Sequence, residues 1–190
     1  MEKYKLVSGL INLHFKFSLK VVCSIYYFLY SLYTIGKNVA MILNFSWVIP
    51  SKLSGCSLPR GQKDIEFLYS QGVKRLVSLK RPSDEISVIC EQQGLKWTYF
   101  GITDFSVPNN DYEFDELVNS IISDMDNGIP CCVHCHAGIG RTGMLLACIL
   151  GKYFKISAEK AIQAVKKTRS AIDTGEQVEY VYNYLREYEN

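Results

Sequence analysis

The sequence CCVHCHAGIGRTG, from Cys131 to Gly143, determines the fold class that we predict for this chain. Its first four residues have the character of a short central strand, and the apolar stretch from Arg141 to Phe154 has that of a helix. The loop between them contains small residues, among them Gly138 and Gly140, that let the backbone curl tightly. A strand, a tight loop and a helix in this order are typical of parallel sheets covered by helices.

The remainder of residues 41–190 alternates between strands and helices in the same way. Further strands are predicted at Arg75–Leu79 and Lys96–Phe100, and Pro50–Pro59 is predicted as a turn-rich connection after the apolar run Phe45–Ile49. Helices are predicted around Ile65–Leu68 and over Ser83–Gly94, Asn110–Asp126, Ser157–Thr168 and Gly175–Tyr188. We therefore expect an α/β fold in which a parallel-cored sheet is flanked by helices on both sides.

Composition and charge exclude several classes of protein. The 190 residues are 48% hydrophobic and 21% charged, which is ordinary for a folded domain and unlike disordered, collagenous or coiled-coil chains. Residues 1–40 contain five Lys and one acid, a net charge of +4, and the remaining residues contain 16 basic and 18 acidic side chains, a net charge of −2. A mildly acidic body lacks the clustered cations of a nucleic-acid-binding surface, so no nucleic-acid partner is expected.

The seven cysteines do not have the pattern of a disulfide framework. Their number is odd and their spacing is irregular, so reduced thiols and a cytoplasmic location are expected. Cys132 and Cys135 have C-x-x-C spacing, which suggests a reversible protective disulfide. The alternation of side chains along an extended strand opposes it, because Cys132 would then face away.

Residues 21–36 form an uncharged apolar stretch between Lys20 and Lys37. Sixteen helical residues rise about 24 Å, which is short of the roughly 30 Å hydrocarbon core of a membrane. Residues 1–40 are therefore interpreted as a marginal membrane anchor, as an extra helix packed on the domain, or as upstream sequence if translation starts at Met41. We favour the last, and we expect membrane association only through residues 21–36.

The loop after the predicted central strand suits an anion. Backbone N–H groups that converge at a helix N-terminus bind anions, and the planar guanidinium of Arg141 offers two donors to phosphate oxygens. Helix N-termini and neighbouring cations favour the thiolate form of a cysteine. Cys135 at the start of the loop is thus placed for in-line attack on the phosphorus of a bound phosphate.

Three other interpretations of this stretch are weaker. Crowded Cys and His side chains suggest zinc, but they lie within six positions on a strand, and the only other histidine is His14. A nucleotide-binding P-loop needs a Lys that is absent. A plain turn explains the glycines but neither Cys135 nor Arg141. No metal and no cofactor are therefore expected.

An acid is needed to protonate the oxygen that leaves phosphorus. Asp104, in the stretch GITDFSVP, follows a predicted strand on a loop and is our candidate. Asp111 is the nearest rival, but Asn110 and Asp111 have the pattern of a helix cap.

The spacing of Cys135 and Arg141, with His134 before and Thr142 after, resembles the HCx5R[ST] signature of the protein tyrosine phosphatase superfamily. The stretches NFSWVIPSKLSGCSLPR and GVKRLVSL, the Asp104 loop and the segment Thr174–Gln177 are similar to the small atypical dual-specificity phosphatases of the VHZ type and their archaeal relatives. This resemblance implies the cysteine-dependent phosphatase fold, a parallel-cored sheet with helices on both sides, for residues 41–190.

The resemblance also implies roles for individual residues. Cys135 would be the nucleophile that becomes phosphocysteine, and Arg141 would bind the phosphate and the equatorial oxygens of the transition state. Thr142 would donate a hydrogen bond to the cysteine sulfur, and His134 would lie under the loop and help to hold the thiolate. Asp104 would act first as an acid and then as the base for the hydrolytic water.

The backbone of the loop would cradle the phosphate. The residues whose amides are expected to do so are His136, Ala137, Gly138, Ile139, Gly140 and Arg141. Asp173 and Gln177 fall in the region that the relatives use near the hydrolytic water. The chain departs from those relatives at Gly175, where they typically have an aromatic residue before Glu176.

The expected substrate is a phosphorylated protein. The variable loop positions His136, Ala137 and Ile139 contain no Lys, which argues against a highly charged lipid headgroup. Gly140 stands where RNA 5′-triphosphatases favour Asn. The sequence before the Asp104 loop has no tyrosine-rich motif like the one that deepens the pocket of strict tyrosine phosphatases, so a shallow site for phosphotyrosine, and also for phosphoserine or phosphothreonine, follows as a hypothesis. The alternatives are a phosphate-binding pseudophosphatase or scaffold, and a phosphatase acting on an RNA 5′ end or a phosphoinositide.

Overall fold

A computed structural model describes residues 42–188 as a five-stranded sheet covered by helices. The strands are β1 (Ser46–Ile49), β2 (Leu53–Cys56), β3 (Arg75–Ser78), β4 (Lys96–Tyr99) and β5 (Cys131–His134). The helices are α1 (Gln62–Ser70), α2 (Glu85–Gln92), α3 (Asp111–Asp126), α4 (Gly140–Phe154), α5 (Ala158–Thr168) and α6 (Gly175–Tyr184), and a 3-10 turn follows at Arg186–Tyr188.

The strand order is β1-β2-β5-β3-β4, which places β5 at the centre. Strands β2, β5, β3 and β4 are parallel, and β1 is the antiparallel edge strand. In the register of the sheet, Cys56 of β2 and Ser78 of β3 both lie opposite His134 at the end of β5. Loops that follow these three strands therefore meet at one edge of the sheet, which is where ligands bind in parallel sheets.

The sheet separates two apolar cores, as the alternation of side chains along each strand requires. The larger core packs α3, α4, α5 and α6 against one face, and it includes Val77 and Val133. The smaller core packs α1 and α2 against the other face, and it includes Leu76 and Cys132. The predicted α/β fold with helices on both sides of a parallel-cored sheet is confirmed.

Two parts of the predicted secondary structure are wrong. Pro50–Pro59 is more than a connection, because it contains β2, whose four residues are buried between β1 and β5. The sequence Leu-Ser-Gly-Cys lacks β-branched residues, and it is held as a strand by pairing with the adjacent β1 on one side and with β5, more than 70 residues away, on the other. The predicted helix Gly175–Tyr188 ends at Tyr184, and the last turn is the separate 3-10 segment.

The interpretations of residues 1–40 and the start at Met41 lie outside the described residues. Within residues 42–188, none of the helices combines the length and the apolar character that crossing a membrane requires.

Candidate active site

The predicted phosphate loop lies at the carboxyl edge of the sheet, between the end of β5 and the first residue of α4, Gly140. It forms one wall of a cavity of about 250 Å³. The residues that line this cavity are Asp104, Phe105, Cys135, His136, Ala137, Gly140, Arg141, Asp173 and Gln177. All of them except Phe105 are site residues predicted from the sequence.

The carbonyl groups of the loop are held by donors outside it. The Cys135 carbonyl accepts from His134 Nδ1, and the His136 carbonyl accepts from the Leu58 amide, at 3.0 and 2.9 Å. The Ile139 carbonyl accepts from the amides of Gly143 and Ile172. Because the C=O and N–H of one trans peptide point in opposite directions, carbonyls held outward turn the following N–H groups inward. The loop therefore presents amides to the cavity, beside the N-terminus of α4.

Gly138 is held both through its carbonyl and through its close approach to β2. Its carbonyl accepts hydrogen bonds from Asn44 Nδ2 at 2.9 Å and from Arg169 Nη2 at 2.6 Å. Its φ is +74°, and a Cβ atom at this position would overlap the carbonyl oxygen of Cys56. Both the backbone conformation and the approach to β2 therefore require glycine here.

Arg141 contributes a buried guanidinium to the cavity. Nη1 donates to the Ile102 carbonyl at 2.8 Å, which fixes the plane of the guanidinium. Nη2 lies 2.7 Å from Asp104 Oδ1, in an ion pair that lacks the alignment of a directed hydrogen bond. The predicted acid and the predicted phosphate ligand are thus neighbours.

Asp104 lies at the mouth of the cavity, and its side chain is 55% exposed. Its Oδ1 accepts from the amide of Phe105, a residue that has a φ of +59° and an exposed ring at the rim. Gln177 Nε2 donates to the Ser106 carbonyl at 3.2 Å and so ties this loop to α6. An exposed carboxylate on a tethered loop can reach a leaving oxygen at the cavity mouth.

A chain of hydrogen bonds leads from β4 to the backbone of Cys135, the predicted nucleophile. Because the Cys135 carbonyl can only accept, His134 Nδ1 carries the proton, and Nε2 accepts from Ser78 Oγ at 2.6 Å. Ser78 Oγ accepts in turn from Trp97 Nε1 at 2.8 Å. Burial lowers the pKa of His134 to about 4, so the imidazole is neutral at pH 7. Every hydrogen bond between Trp97 and the Cys135 carbonyl is therefore formed by uncharged groups.

Thr142 is fully buried in the first turn of α4. Its Oγ1 has no hydrogen-bond partner among residues 42–188. The hydroxyl is thus available as a donor, and its donation to the Cys135 sulfur stays a prediction.

Asp173 and Gln177, which the resemblance to the family suggested as site residues, lie against the loop at Gly140. A Cβ atom on Gly140 would come within 2.5 Å of Asp173 Oδ2 and 2.9 Å of Gln177 Oε1. Gln177 is fully buried, and its Oε1 accepts from the Asp173 amide at 3.2 Å. The absence of a side chain at Gly140 is what lets both polar groups reach the cavity.

The C-x-x-C spacing of Cys132 and Cys135 does not bring the two sulfurs together. Cys132 faces the smaller core, where its Sγ lies 3.5 Å from Cys56 Sγ, and Cys135 belongs to the larger core. A disulfide between Cys132 and Cys135 would require the end of β5 to rotate so that both side chains lie on the same face of the sheet. In the part of the chain that the structure describes, no group of three or more Cys, His or acidic side chains is arranged to hold a metal ion.

Sequence reasoning missed several residues that shape the site. They are Asn44, Ser78, Trp97, Phe105 and Arg169. Phe105 directly follows the predicted acid, so its position at the rim of the cavity could have been predicted from the sequence. Asn44, Ser78 and Arg169 form hydrogen bonds with site residues that lie 94, 56 and 31 residues away in the chain. Trp97 donates to Ser78, 19 residues away, and no local sequence pattern marks any of these four residues.

Comparisons with known proteins agree with this geometry. A family model described as "Swiss Army Knife protein, DSP-PTPase phosphatase domain" matches residues 43–186. The chain is 30% identical over 143 residues to protein tyrosine phosphatase domain-containing protein 1 of Mus musculus, covering 65% of this chain and 19% of that protein. It is 23% identical over 146 residues to dual specificity protein phosphatase CDC14C of Homo sapiens, covering 73% of this chain and 33% of that protein.

Solved structures share the fold. The kinase associated phosphatase superimposes with a TM-score of 0.66 at 22% identity, covering 80% of this chain and 97% of that one. PTPMT1 superimposes with a TM-score of 0.65 at 21% identity, covering 76% and 95%. The chain spans about a fifth of the length of the first of these curated relatives and a third of the second. With the family model covering most of its length, this chain belongs to the dual-specificity phosphatases of the protein tyrosine phosphatase superfamily.

Proposed function

We propose that the chain is a cysteine-dependent protein phosphatase that hydrolyses phosphotyrosine, and also phosphoserine or phosphothreonine, through a phosphocysteine intermediate. One observation carries the proposal: Cys135, Arg141 and Asp104 meet at a single cavity whose loop amides face inward. Binding a phosphate needs the amides and the cation only. A thiol and a carboxylate at the same cavity are the additional parts that hydrolysis needs.

In the first step, the Cys135 thiolate attacks phosphorus and the bond from phosphorus to the substrate oxygen breaks. Asp104 transfers its proton to that oxygen, so the substrate leaves as a neutral hydroxyl group. Arg141 and the loop amides hold the three other phosphate oxygens, on which negative charge is spread in the transition state. The products are phosphocysteine and the dephosphorylated side chain.

In the second step, a water attacks phosphorus and the bond from phosphorus to sulfur breaks. The Asp104 carboxylate takes one proton from this water, which restores its acid form. Thr142 Oγ1, buried and available as a donor, stabilises the thiolate that leaves. Asp173 and Gln177 lie over Gly140, and their role in this proposal is to orient the water. Inorganic phosphate is released.

The rim supports the choice of a phosphorylated side chain as substrate. Phe105 exposes 63% of its surface beside the cavity, which offers an aromatic wall to the ring of phosphotyrosine. The loop residues His136 and Ala137 line the cavity without adding a Lys or Arg. A small cavity with one guanidinium suits a single phosphate monoester.

The test is hydrolysis of p-nitrophenyl phosphate, a phosphotyrosyl peptide and a phosphothreonyl peptide by the wild type and by Cys135→Ser. We expect the wild type to hydrolyse p-nitrophenyl phosphate and the phosphotyrosyl peptide, and Cys135→Ser to be inactive. Cys90→Ser, which changes a buried thiol in the smaller core, is the matched control and should retain activity. An equally active Cys135→Ser would refute the mechanism, and a wild type inactive on both peptides would refute the protein substrate.

A phosphatase acting on a non-protein phosphate is the second candidate, because one structure with this fold is PTPMT1 in complex with PI(5)P, with a TM-score of 0.63. Vesicles containing a phosphatidylinositol monophosphate, assayed beside the peptides, separate the two functions. Turnover of vesicles with no turnover of peptides would favour this candidate. A pseudophosphatase would bind phosphate and release none from any substrate.

A further inference from the structure

A second cavity adjoins the catalytic one and shares Asp104 and Arg141 with it. Its volume is about 380 Å³, and its outer walls include Lys80, Arg81 and Tyr99. Lys80 and Arg81 follow β3, which lies beside β5 in the sheet. They therefore leave the sheet at the same edge as the phosphate loop.

Tyr99 forms a fixed wall of this cavity. Its ring stacks on the Trp97 ring, with centroids 6.4 Å apart and an angle of 16° between the planes. A Cβ atom on Gly101 would lie 2.5 Å from the Tyr99 hydroxyl, so the tyrosine lies across a residue that has no side chain. The ring nevertheless remains 44% exposed.

The charge around this cavity is positive. Lys80, Arg81 and Arg141 face one carboxylate, that of Asp104. Arg81 lies 5.7 Å from the centroid of the Tyr99 ring, which favours a guanidinium near the cavity. Its ion pair with Asp84 is 3.6 Å long, and both side chains are exposed, so the pair is weak and easily exchanged.

We propose that this cavity is a subsite for a second anionic group, a carboxylate or a phosphate, on a peptide whose phosphorylated residue occupies the catalytic cavity. This inference rests on the proposed function and specifies its substrate class. The two cavities share Asp104 and Arg141, so they adjoin. An extended chain advances about 3.3–3.6 Å per residue, and we therefore place the second anion within about three residues of the phosphorylated one.

The placement of the cations favours a peptide over a lipid headgroup. The phosphate loop adds no Lys around the hydrolysed phosphate, and the extra positive charge lies to one side of it, next to an exposed aromatic ring. This arrangement suits one further anion on a neighbouring side chain whose carbon atoms pack on Tyr99. A ring of phosphates on one headgroup would need cations on several sides.

The experiment compares three phosphotyrosyl peptides that differ only at the flanking positions, which are Ala, Glu or phosphoserine. We expect the wild type to have a 5- to 10-fold higher kcat/KM for the two anionic peptides, about what two exposed ion pairs supply. The preference should weaken with added salt. The Glu and phosphoserine arms identify which anion the subsite takes.

Charge variants test the residues. In the double variant Lys80→Ala and Arg81→Ala the ratio of anionic to neutral kcat/KM should fall towards one, whereas Lys160→Ala with Lys167→Ala, which line neither cavity, should keep the wild-type ratio. The double variant Lys80→Glu and Arg81→Glu should instead have a higher kcat/KM for a phosphotyrosyl peptide flanked by Lys. Misfolding would not produce such a gain.

The outcomes separate the two proposals. A wild type that hydrolyses all three peptides equally overturns the subsite and leaves the proposed function intact. Hydrolysis of none of them overturns both. If the charge variants lose activity only on phosphatidylinositol monophosphate in vesicles, the cations serve a lipid substrate and the peptide subsite is overturned.

Discussion

Ser78 Oγ lies 2.6 Å from His134 Nε2 and joins two neighbouring strands of the sheet beneath Cys135. Ser78 Oγ accepts a hydrogen bond from the Trp97 indole N–H and donates one to His134 Nε2, and His134 Nδ1 donates to the Cys135 carbonyl. The orientation of the first peptide of the phosphate loop thus depends on a hydroxyl group in β3.

Replacing Ser78 by Ala should lower kcat and stability together. The variant leaves the Trp97 indole N–H and His134 Nε2 without their partner, and a buried unsatisfied polar group costs about 1–3 kcal/mol. Ser54→Ala is the matched control, because Ser54 is a fully buried serine of β2 that donates to the Cys131 carbonyl. Below the unfolding transition, kcat should fall in Ser78→Ala and stay near wild type in Ser54→Ala. Equal kcat in both variants would contradict the positioning role.

The low pKa of His134 makes stability depend on pH. Folding shifts this pKa from about 6.5 in the unfolded chain to about 4. Between pH 6.5 and pH 4, His134 therefore binds a proton in the unfolded chain but not in the folded one. The free energy of unfolding should therefore be undiminished above pH 6.5 and fall by about 3 kcal/mol as the pH is lowered to 4. Denaturant titrations at several pH values measure this change.

His134→Asn isolates the contribution, because it removes the titrating group from both states. The difference in unfolding free energy between wild type and variant should shrink as the pH falls through this window. A difference that is constant from pH 7 to pH 4 would show that His134 does not cause the dependence.

Asp104→Asn should retain phosphate binding and slow turnover of a phosphotyrosyl peptide by about 10²–10⁴-fold, the usual effect of losing a general acid. The amide preserves the size of the side chain but has no proton to give to the leaving oxygen. Asp111→Asn is the control, since Asp111 lies at the start of α3 and accepts from the Tyr180 hydroxyl at 2.8 Å. If Asp111→Asn has the larger defect, the acid is misassigned.

Gly138→Ala should abolish most activity and destabilise the fold by more than a strained φ alone accounts for. A left-handed conformation costs a non-glycine residue about 1–2 kcal/mol, and the new Cβ would also overlap the Cys56 carbonyl. Gly72→Ala tests the first cost separately, because Gly72 has a φ of +89° with no atom within 4 Å of an added Cβ. Thermal unfolding and kcat, measured for both variants, distinguish the cost of the left-handed backbone conformation from the cost of steric overlap with the Cys56 carbonyl.

The sequence predicted those parts of the site that are local in the chain. The order of β5, the loop and α4 follows from consecutive residues, and Cys135 and Arg141 lie at the cavity as their spacing indicated. Asp173 and Gln177 came from the resemblance to a family, and the structure brings them to Gly140.

What the sequence could not predict depends on distant pairing. Strand β2 was missed because Leu53–Cys56 has no strand-like pattern and is extended through its neighbours. Gly55 illustrates the point: a glycine normally weakens a strand, yet here a Cβ would collide with the Arg169 guanidinium that reaches the phosphate loop. No local pattern relates a strand glycine to an arginine more than 100 residues away.

The Gly138 carbonyl has a consequence for how this enzyme would fail. Its two donors come from separate segments, since Asn44 precedes β1 and Arg169 follows α5, and the proposed mechanism gives neither of them a chemical step. Loss of either hydrogen bond would loosen the loop at Gly138, while the hydrogen bonds to the His136 and Ile139 carbonyls remain. Phosphatase turnover should thus be a sensitive reporter of the docking of these segments, and inactivation by mild heat or denaturant should precede the loss of secondary structure.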